Sequence, residues 1–394
     1  MNFRMCFLSL GLLVPVEGHA AAAAPADASP TDAAVRDLGR EWLVANDGVG
    51  LSIGVYDNGQ RHFYNFGATR LDGNKTPTKD TVYEIGSIAK TMTGQLLARA
   101  IVEGRATIND EASKYLDEPY PNLENGGERV RLLHLANMTS QLADNIPDLS
   151  QVRTVPGEFL FATRMRVLEK YTRTEFLRQL HMVKPQRPPG SDPAHSNVAS
   201  MLLGVVLEKL YGESFDAILA REIEKPLKMG SGTAPPIKLL ALGYTKNNEQ
   251  VPGFTAETQY AAGSLRYSAE DLLRYASWQA AERDASVKLA HQPTWLTLDR
   301  RQSVAFYWIV DESPHGRRLR YTGGTYGFSS ACELYPDAGI ALVLLSNKAA
   351  DGAQESLRAL SAKIVELMAP VDLLKPAGSL SPQPSSADAP PPGR

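Results

Sequence analysis

The sequence predicts an α+β fold: an antiparallel sheet flanked by terminal helices, with a mainly helical region inserted into it. Two observations carry this. Strand patterns cluster near both ends of the chain, whereas the middle reads as helices and loops. Helical spacing also appears just inside each end, at 33–45 and 357–368. The distant end strands must then pair into one sheet with the end helices packed on it. A cleft forms where the sheet and the inserted region meet.

Taken in order, Ala33 to Ala45 spaces Val35, Leu38, Trp42 and Leu43 as a helix does. Val49 to Tyr56 is a strand, Asp57-Asn58-Gly59 a hairpin turn, and Arg61 to Gly67 the return strand. From Ile88, apolar residues recur at helical spacing (Met92, Leu96, Leu97, Ala100, Ile101), with Gly104 as the stop. Short helices are expected at Ala112 to Leu116, Arg131 to Ala136 and Thr174 to Leu180, and a proline-rich loop at Pro185 to Pro193. Asn197 to Tyr211 and Phe215 to Ile223 read as helices, Ile237 to Gly263 as irregular, and Ala269 to Glu282 as a helix. Strands return at Ser303 to Val310, Arg318 to Tyr321, Phe328 to Leu334 and Ile340 to Leu345, and a helix over Leu357 to Met368 closes the domain.

At the start of the Ile88 helix lies the stretch Glu84-Ile85-Gly86-Ser87-Ile88-Ala89-Lys90. Ser87 falls in the first turn and Lys90 three residues on, where Cβ atoms are about 5–6 Å apart on one helix face. A serine hydroxyl needs an adjacent base to act as a nucleophile, and a buried lysine can be that base. The helix N-terminus adds partial positive charge that favours a developing oxyanion. Ser87 is the only serine in the chain with lysine at the third following position.

Composition narrows the alternatives. The formal charge is −3 and no basic run dominates, so a nucleic-acid partner is not expected. The sequence lacks H-E-x-x-H, a Cys/His cluster, a G-x-S-x-G elbow and a Walker or dinucleotide fingerprint, so neither metal nor cofactor is expected. Arg4, an apolar run from Met5 to Val16 and Gly18-His19-Ala20 read as a signal peptide, with cleavage expected by residue 24 and export to the periplasm or medium. The apolar run is too short for a stable membrane anchor. Cys6 lies in that leader, which leaves Cys332 unpaired and expected as a small buried strand residue. Residues 25–375 then form one domain, with a sheet region at about 33–98 and 262–370 and a helical region at about 99–261. A Pro/Ser-rich tail, 376–394, is expected to be disordered. A monomer is expected.

Further motifs follow Ser87 and Lys90 in order: Leu132-Leu133-His134-Leu135-Ala136, Pro188-Pro189-Gly190, His195-Ser196-Asn197 and Tyr321-Thr322-Gly323-Gly324-Thr325-Tyr326-Gly327-Phe328. With them the chain, from about Val49 to Met368, resembles the serine β-lactamase and penicillin-binding protein superfamily. Within it the likeness is nearest to class C β-lactamases, D-alanyl-D-alanine carboxypeptidases and related esterases. The resemblance implies a β-lactamase/transpeptidase-like fold with its active site in the cleft. It implies acyl transfer through Ser87, with Lys90 as activating base and Asn197 orienting Lys90 and substrate.

Two positions depart from the family pattern. Its second motif usually begins with a tyrosine that shuttles protons; here it is His195, which can do so near neutral pH. Its third motif usually begins with a cation that helps bind a substrate carboxylate; here it is Tyr321, which brings a hydroxyl but no charge. Arg320 is adjacent, but strand alternation turns it to the opposite face. The resemblance also implies that Thr322 and Gly323 belong to that substrate-binding strand, and the Gly324 amide resembles the second oxyanion donor beside that of Ser87. Asn145 stands where class C enzymes place a glutamine that binds the substrate's side-chain amide. The expected substrate is a small molecule or peptide with a β-lactam, peptide or ester carbonyl. The alternatives are an esterase or peptidase with little action on β-lactams, or a binding protein with weakened catalysis.

Overall fold

The computed structural model describes residues 29–153, 159–299 and 301–369. The expected leader (1–24) and tail (376–394) lie outside them. The architecture is α+β, as predicted, and its frame is one eight-stranded antiparallel sheet.

The chain enters through α1 (Pro30–Ala45), the hairpin β1 (Gly50–Asp57) and β2 (Gln60–Gly67), a short strand β3 (Val82–Glu84), and α2 (Ala89–Val102). The middle supplies α3 (Leu132–Ala136), α4 (Leu160–Glu169), α5 (Arg173–Leu180), α6 (Asn197–Tyr211) and α7 (Phe215–Leu219). Strand β4 (Arg266–Ser268) pairs with β3 and leads into α8 (Ala269–Ala281) and α9 (Ala285–Ala290). The chain then lays down β5 (Trp295–Leu296), β6 (Gln302–Val304), β7 (Ile309–Ser313), β8 (Gly316–Gly324), β9 (Ser329–Tyr335) and β10 (Ile340–Ser346), and ends in α10 (Ala353–Met368). The order across the sheet is β2-β1-β10-β9-β8-β7-β6-β5.

The two ends therefore pair within the sheet, where Leu51 faces Ser346 and Asp57 faces Ile340. Alternation assigns the faces. Leu51, Ile53, Val55, Leu342 and Leu344 join Trp42, Leu357 and Ile364 in a core beneath α1 and α10. Ala341, Val343, Leu345, Cys332 and Leu334 join the larger core shared with α2, α6 and α8. A strand buried on both faces reads as an unbroken apolar run, as Ile340–Leu345 does. Cys332 is fully buried on β9, as expected.

Three sequence expectations change. The strand expected at Ser303–Val310 is two strands joined by a tight turn, in which the Ala305 N–H donates to Trp308 O at 2.9 Å and Tyr307 has φ +66°. Phe306, Tyr307 and Trp308 have strand-like composition, but all three are buried in the larger core. The helix from Phe215 gives way after Leu219 to a wider turn over Ala220–Glu224. Residues Ala112–Tyr115 form only a 3₁₀ turn.

Candidate active site

The site starts from a backbone requirement. Between β3 and α2 the chain turns through Gly86, at φ +53°, into a 3₁₀ turn over Gly86–Ile88. A Cβ on Gly86 would stand 2.5 Å from the Gly324 amide nitrogen, so only glycine lets this turn lie flush against β8. Ser330 Oγ donates to Ile85 O at 2.8 Å and fastens the turn to β9. A Cβ on Gly323 would stand 2.9 Å from the Ser87 amide nitrogen, so the backbone of β8 lies directly against the Ser87 amide.

Lys90 follows in the first turn of α2. That helix is buried on nearly every side, which is why a lysine on it lies inside the protein, 1% exposed. Its Nζ donates to Ser87 Oγ (2.9 Å), Asn197 Oδ1 (2.6 Å) and Ala262 O (2.7 Å). Burial drags its pKa down to about 7, against an opposing pull from the Asp144 charge.

The second wall comes from the start of α6. Ser196 caps that helix, accepting from the Ala199 N–H at 3.0 Å and donating to Ala143 O at 2.7 Å. The cap aligns His195 just outside the helix and Asn197 just inside it. His195 Nε2 lies 3.1 Å from Ser87 Oγ, and its Nδ1 lies 2.6 Å from Asp144 Oδ1. The Asn145 amide is engaged at both ends: Nδ2 donates to Asp144 Oδ2 (2.7 Å), and Oδ1 accepts from Asn197 Nδ2 (2.8 Å). Ser87, Lys90, Asn197, Asn145, Asp144 and His195 thus form a closed ring of hydrogen bonds. Partial burial pushes the Asp144 carboxyl up, but the His195 hydrogen bond and charge outweigh it, so the group sits below the usual carboxylate range.

Tyr321 sits on the floor beside this ring, 7% exposed, its hydroxyl against Met138 Sδ at 3.4 Å. Arg320, expected on the opposite face, lines the larger of the two cavities at Ser87, with its Nε held by Asp311 at 3.0 Å. Two cavities meet at Ser87. The larger, about 740 Å³, is lined by Met138, His195, Trp295, Tyr321, Thr322 and Gln354 among others. The smaller, about 270 Å³, is lined by Asn145, Asn197, Phe254, Thr325 and Tyr326 among others. Gly324 lines both, and Gly323 is buried against the turn. Among the described residues no cluster of His, Cys, Asp and Glu could hold a metal ion.

The fold therefore brings the candidate residues Ser87, Lys90, Asn145, His195, Asn197, Tyr321, Thr322, Gly323 and Gly324 together at one cleft. Sequence reasoning missed Asp144. The available signal was His195 itself, since a histidine in place of a tyrosine brings a second ring nitrogen that needs a partner.

The sequence model of the beta-lactamase family matches residues 32–366. The chain belongs to the beta-lactamase family. Over 187 residues it is 31% identical to the D-alanyl-D-alanine-carboxypeptidase/endopeptidase AmpH of Escherichia coli (strain K12); the match spans 48% of this chain and 46% of that protein, about half of each. It is 22% identical over 353 residues to a beta-lactamase of Pseudomonas fluorescens, covering 77% of this chain and 89% of that one. Among solved structures, a class C beta-lactamase superposes with a TM-score of 0.72 at 21% identity, covering 85% of this chain and 96% of that one. The Beta-lactamase/D-alanine Carboxypeptidase from Yersinia pestis complexed with citrate gives 0.69 at 20% identity, covering 84% and 98%. At such identities the structural likeness establishes the fold. No described helix is long and apolar enough to cross a membrane.

Proposed function

We propose that the protein is an exported serine hydrolase that transfers acyl groups through a Ser87 acyl-enzyme, opening a β-lactam, peptide or ester carbonyl. The observation that carries this is the convergence of two basic nitrogens, Lys90 Nζ and His195 Nε2, on Ser87 Oγ at 2.9 and 3.1 Å. With a pKa near 7, a useful fraction of Lys90 is neutral at physiological pH and can take the serine proton. Ser87 Oγ then bonds the carbonyl carbon, and the oxyanion is held by the Ser87 and Gly324 amides. Loss of one such donor typically costs about 10²–10³ in turnover. Lys90 gives the serine proton up to His195 Nε2, which shares Ser87 Oγ with it, and His195 passes it to the leaving nitrogen or oxygen as that bond breaks. Water attacks the acyl-enzyme, gives its proton to the site, and Ser87 is restored. Asn197 keeps Lys90 aimed. The test is labelling with a fluorescent penicillin and an activated ester, read by mass spectrometry. One acyl group on the Ser87 peptide is expected, and none in Ser87→Ala. An adduct on another serine would sink the reading. Export is supported by the signal-like N-terminal sequence; N-terminal sequencing of periplasmic protein should find the chain starting between Ala21 and Pro25, and retention of Met1 would contradict it.

A second reading concerns the substrate. Among the described residues lining the two cavities, the one lysine or arginine is Arg320, and Asp311 already holds it. With Tyr321 where relatives resembling this chain carry a cation, neutral esters and amides lose little by lacking a carboxylate. This favours an esterase or peptidase over a β-lactamase. Tyr321→Lys should raise the preference for nitrocefin over p-nitrophenyl acetate about tenfold, since a charge-assisted hydrogen bond contributes roughly 1.5–3 kcal/mol. Efficient nitrocefin hydrolysis by the wild type, unchanged in preference by the substitution, would defeat it.

A further inference from the structure

Asp144 has no task in the steps above, yet it closes the ring around Ser87. We infer that Asp144 is a positioning residue that holds His195 as its Nδ1–H tautomer and aims the Nε2 lone pair at Ser87 Oγ, so that a serine–histidine–aspartate relay works beside the serine–lysine pair. This rests on the reading of Ser87 as an acylated nucleophile.

An ionised carboxylate can only accept hydrogen bonds. A ring nitrogen 2.6 Å from Asp144 Oδ1 must therefore carry the proton, and that nitrogen is Nδ1. In a neutral imidazole the other nitrogen is then the acceptor, and Nε2 is the one facing Ser87 Oγ at 3.1 Å. A tyrosine at this position would have one oxygen and no tautomer to choose. The histidine has two nitrogens and needs an external group to decide between them.

Asp144 is itself held at three points. Asn145 Nδ2 donates to its Oδ2 at 2.7 Å, its Oδ1 takes the His195 bond, and its backbone carbonyl accepts the Asn197 N–H at 2.8 Å. The carboxylate therefore sits in register with the start of α6, the element that also sets His195 and Asn197. The same interaction type orients the histidine of serine proteases, where replacing the aspartate leaves the geometry but puts the imidazole in the wrong tautomer. Here the pair is half exposed, with side chains 46% and 55% accessible. Water can partly substitute for the carboxylate, so the expected loss is smaller than in a buried triad.

Asp144 has one other charged neighbour in the site, Lys90, whose pKa its charge raises. A purely electrostatic role through Lys90 would make Asp144→Ala matter whether or not His195 is present. The experiment is a double-mutant cycle with p-nitrophenyl acetate on the full-length protein: wild type, Asp144→Ala, His195→Ala and the pair. Asp144→Ala should lower kcat about 10- to 100-fold with KM within about twofold, and should cost less than about threefold in the His195→Ala background. Equal losses in both backgrounds would overturn the proposal. Asp144→Asn, nearly isosteric, covers the case in which the alanine variant fails to fold; it should lose kcat in the same range, and full activity would count against the role. A second readout needs no substrate. With ¹⁵N-labelled histidine at about pH 8.5, His195 should be the Nδ1–H tautomer in the wild type and shift toward Nε2–H in Asp144→Asn. An Nε2–H tautomer in the wild type rejects the proposal even if Ser87 is acylated. The expected tautomer with no acylation of Ser87 rejects the catalytic reading instead.

Discussion

Lys90 shows what one residue's environment decides. The sequence places it three residues from Ser87 on a helix, and that spacing alone makes the pair legible. It does not show that α2 is enclosed, and enclosure is what brings the pKa to about 7. The sign of the consequence follows from linkage. An unfolded lysine titrates near 10.4, so between about pH 7 and 10.4 the unfolded chain binds more protons and the folded state gains stability as pH rises. The penalty for a buried ammonium is complete only below about pH 7. Lys90→Met removes it, so relative to the variant the wild type should gain about 2–3 kcal/mol between pH 6 and 9, measured by denaturant unfolding. No difference between those pH values would mean that Lys90 is not desolvated as described. In the wild type, kcat/KM for an uncharged ester should rise through about pH 7, as Lys90 loses its proton and becomes able to accept one. Asp144 was the illegible member of the site. It lies 51 residues from His195 in sequence, and no spacing rule spans a loop of that length.

At the scale of elements, the critical joint is the 3₁₀ turn of Gly86–Ile88 against β8. Gly86→Ala puts a side chain into the left-handed region, at a cost of about 1–2 kcal/mol, and presses it on the Gly324 amide. The oxyanion donors should move apart, and displacements near 1 Å can cost about 10² in rate. The expected outcome is a fall in kcat of tenfold or more beside a stability loss of about 1–3 kcal/mol; unchanged kcat in a folded variant would show that the joint does not set the donors. Elements with a clear period were readable: α6 runs over the residues predicted for it, and the strand Ile340–Ser346 matches its apolar run. Helices α4 and α9 were not predicted. The run from Ser303 to Val310 was misread because its aromatics fill the core from a turn, and composition does not separate that use from a strand.

For the whole molecule, the pairing of β1 with β10 joins residues almost 300 positions apart, counting from Leu51 to Ser346. The hairpin β1–β2 cannot join the rest of the sheet until the chain's last strand, β10, is available, and such long-range pairing is slow to form. A chain ending at Asp337 lacks β10 and α10. It should show no cooperative unfolding transition and no penicillin labelling; a labelled, cooperatively folded truncation would refute this. This architecture was legible because strand patterns at both ends had no other partners, whereas its register was not, since register depends on side chains meeting across the whole chain. Cys332 lies where that late closure happens, in the strand beside β10, fully enclosed, with burial holding its thiol far above the range in which a reactive thiolate forms. Of the two cysteines in the sequence, the other falls within the expected leader. The exported chain would then carry one sulfhydryl, silent toward alkylating reagents while the sheet is shut. The rate at which excess iodoacetamide consumes it would count the openings of the sheet around β9 and β10, giving a substrate-free clock for how often the fold comes apart.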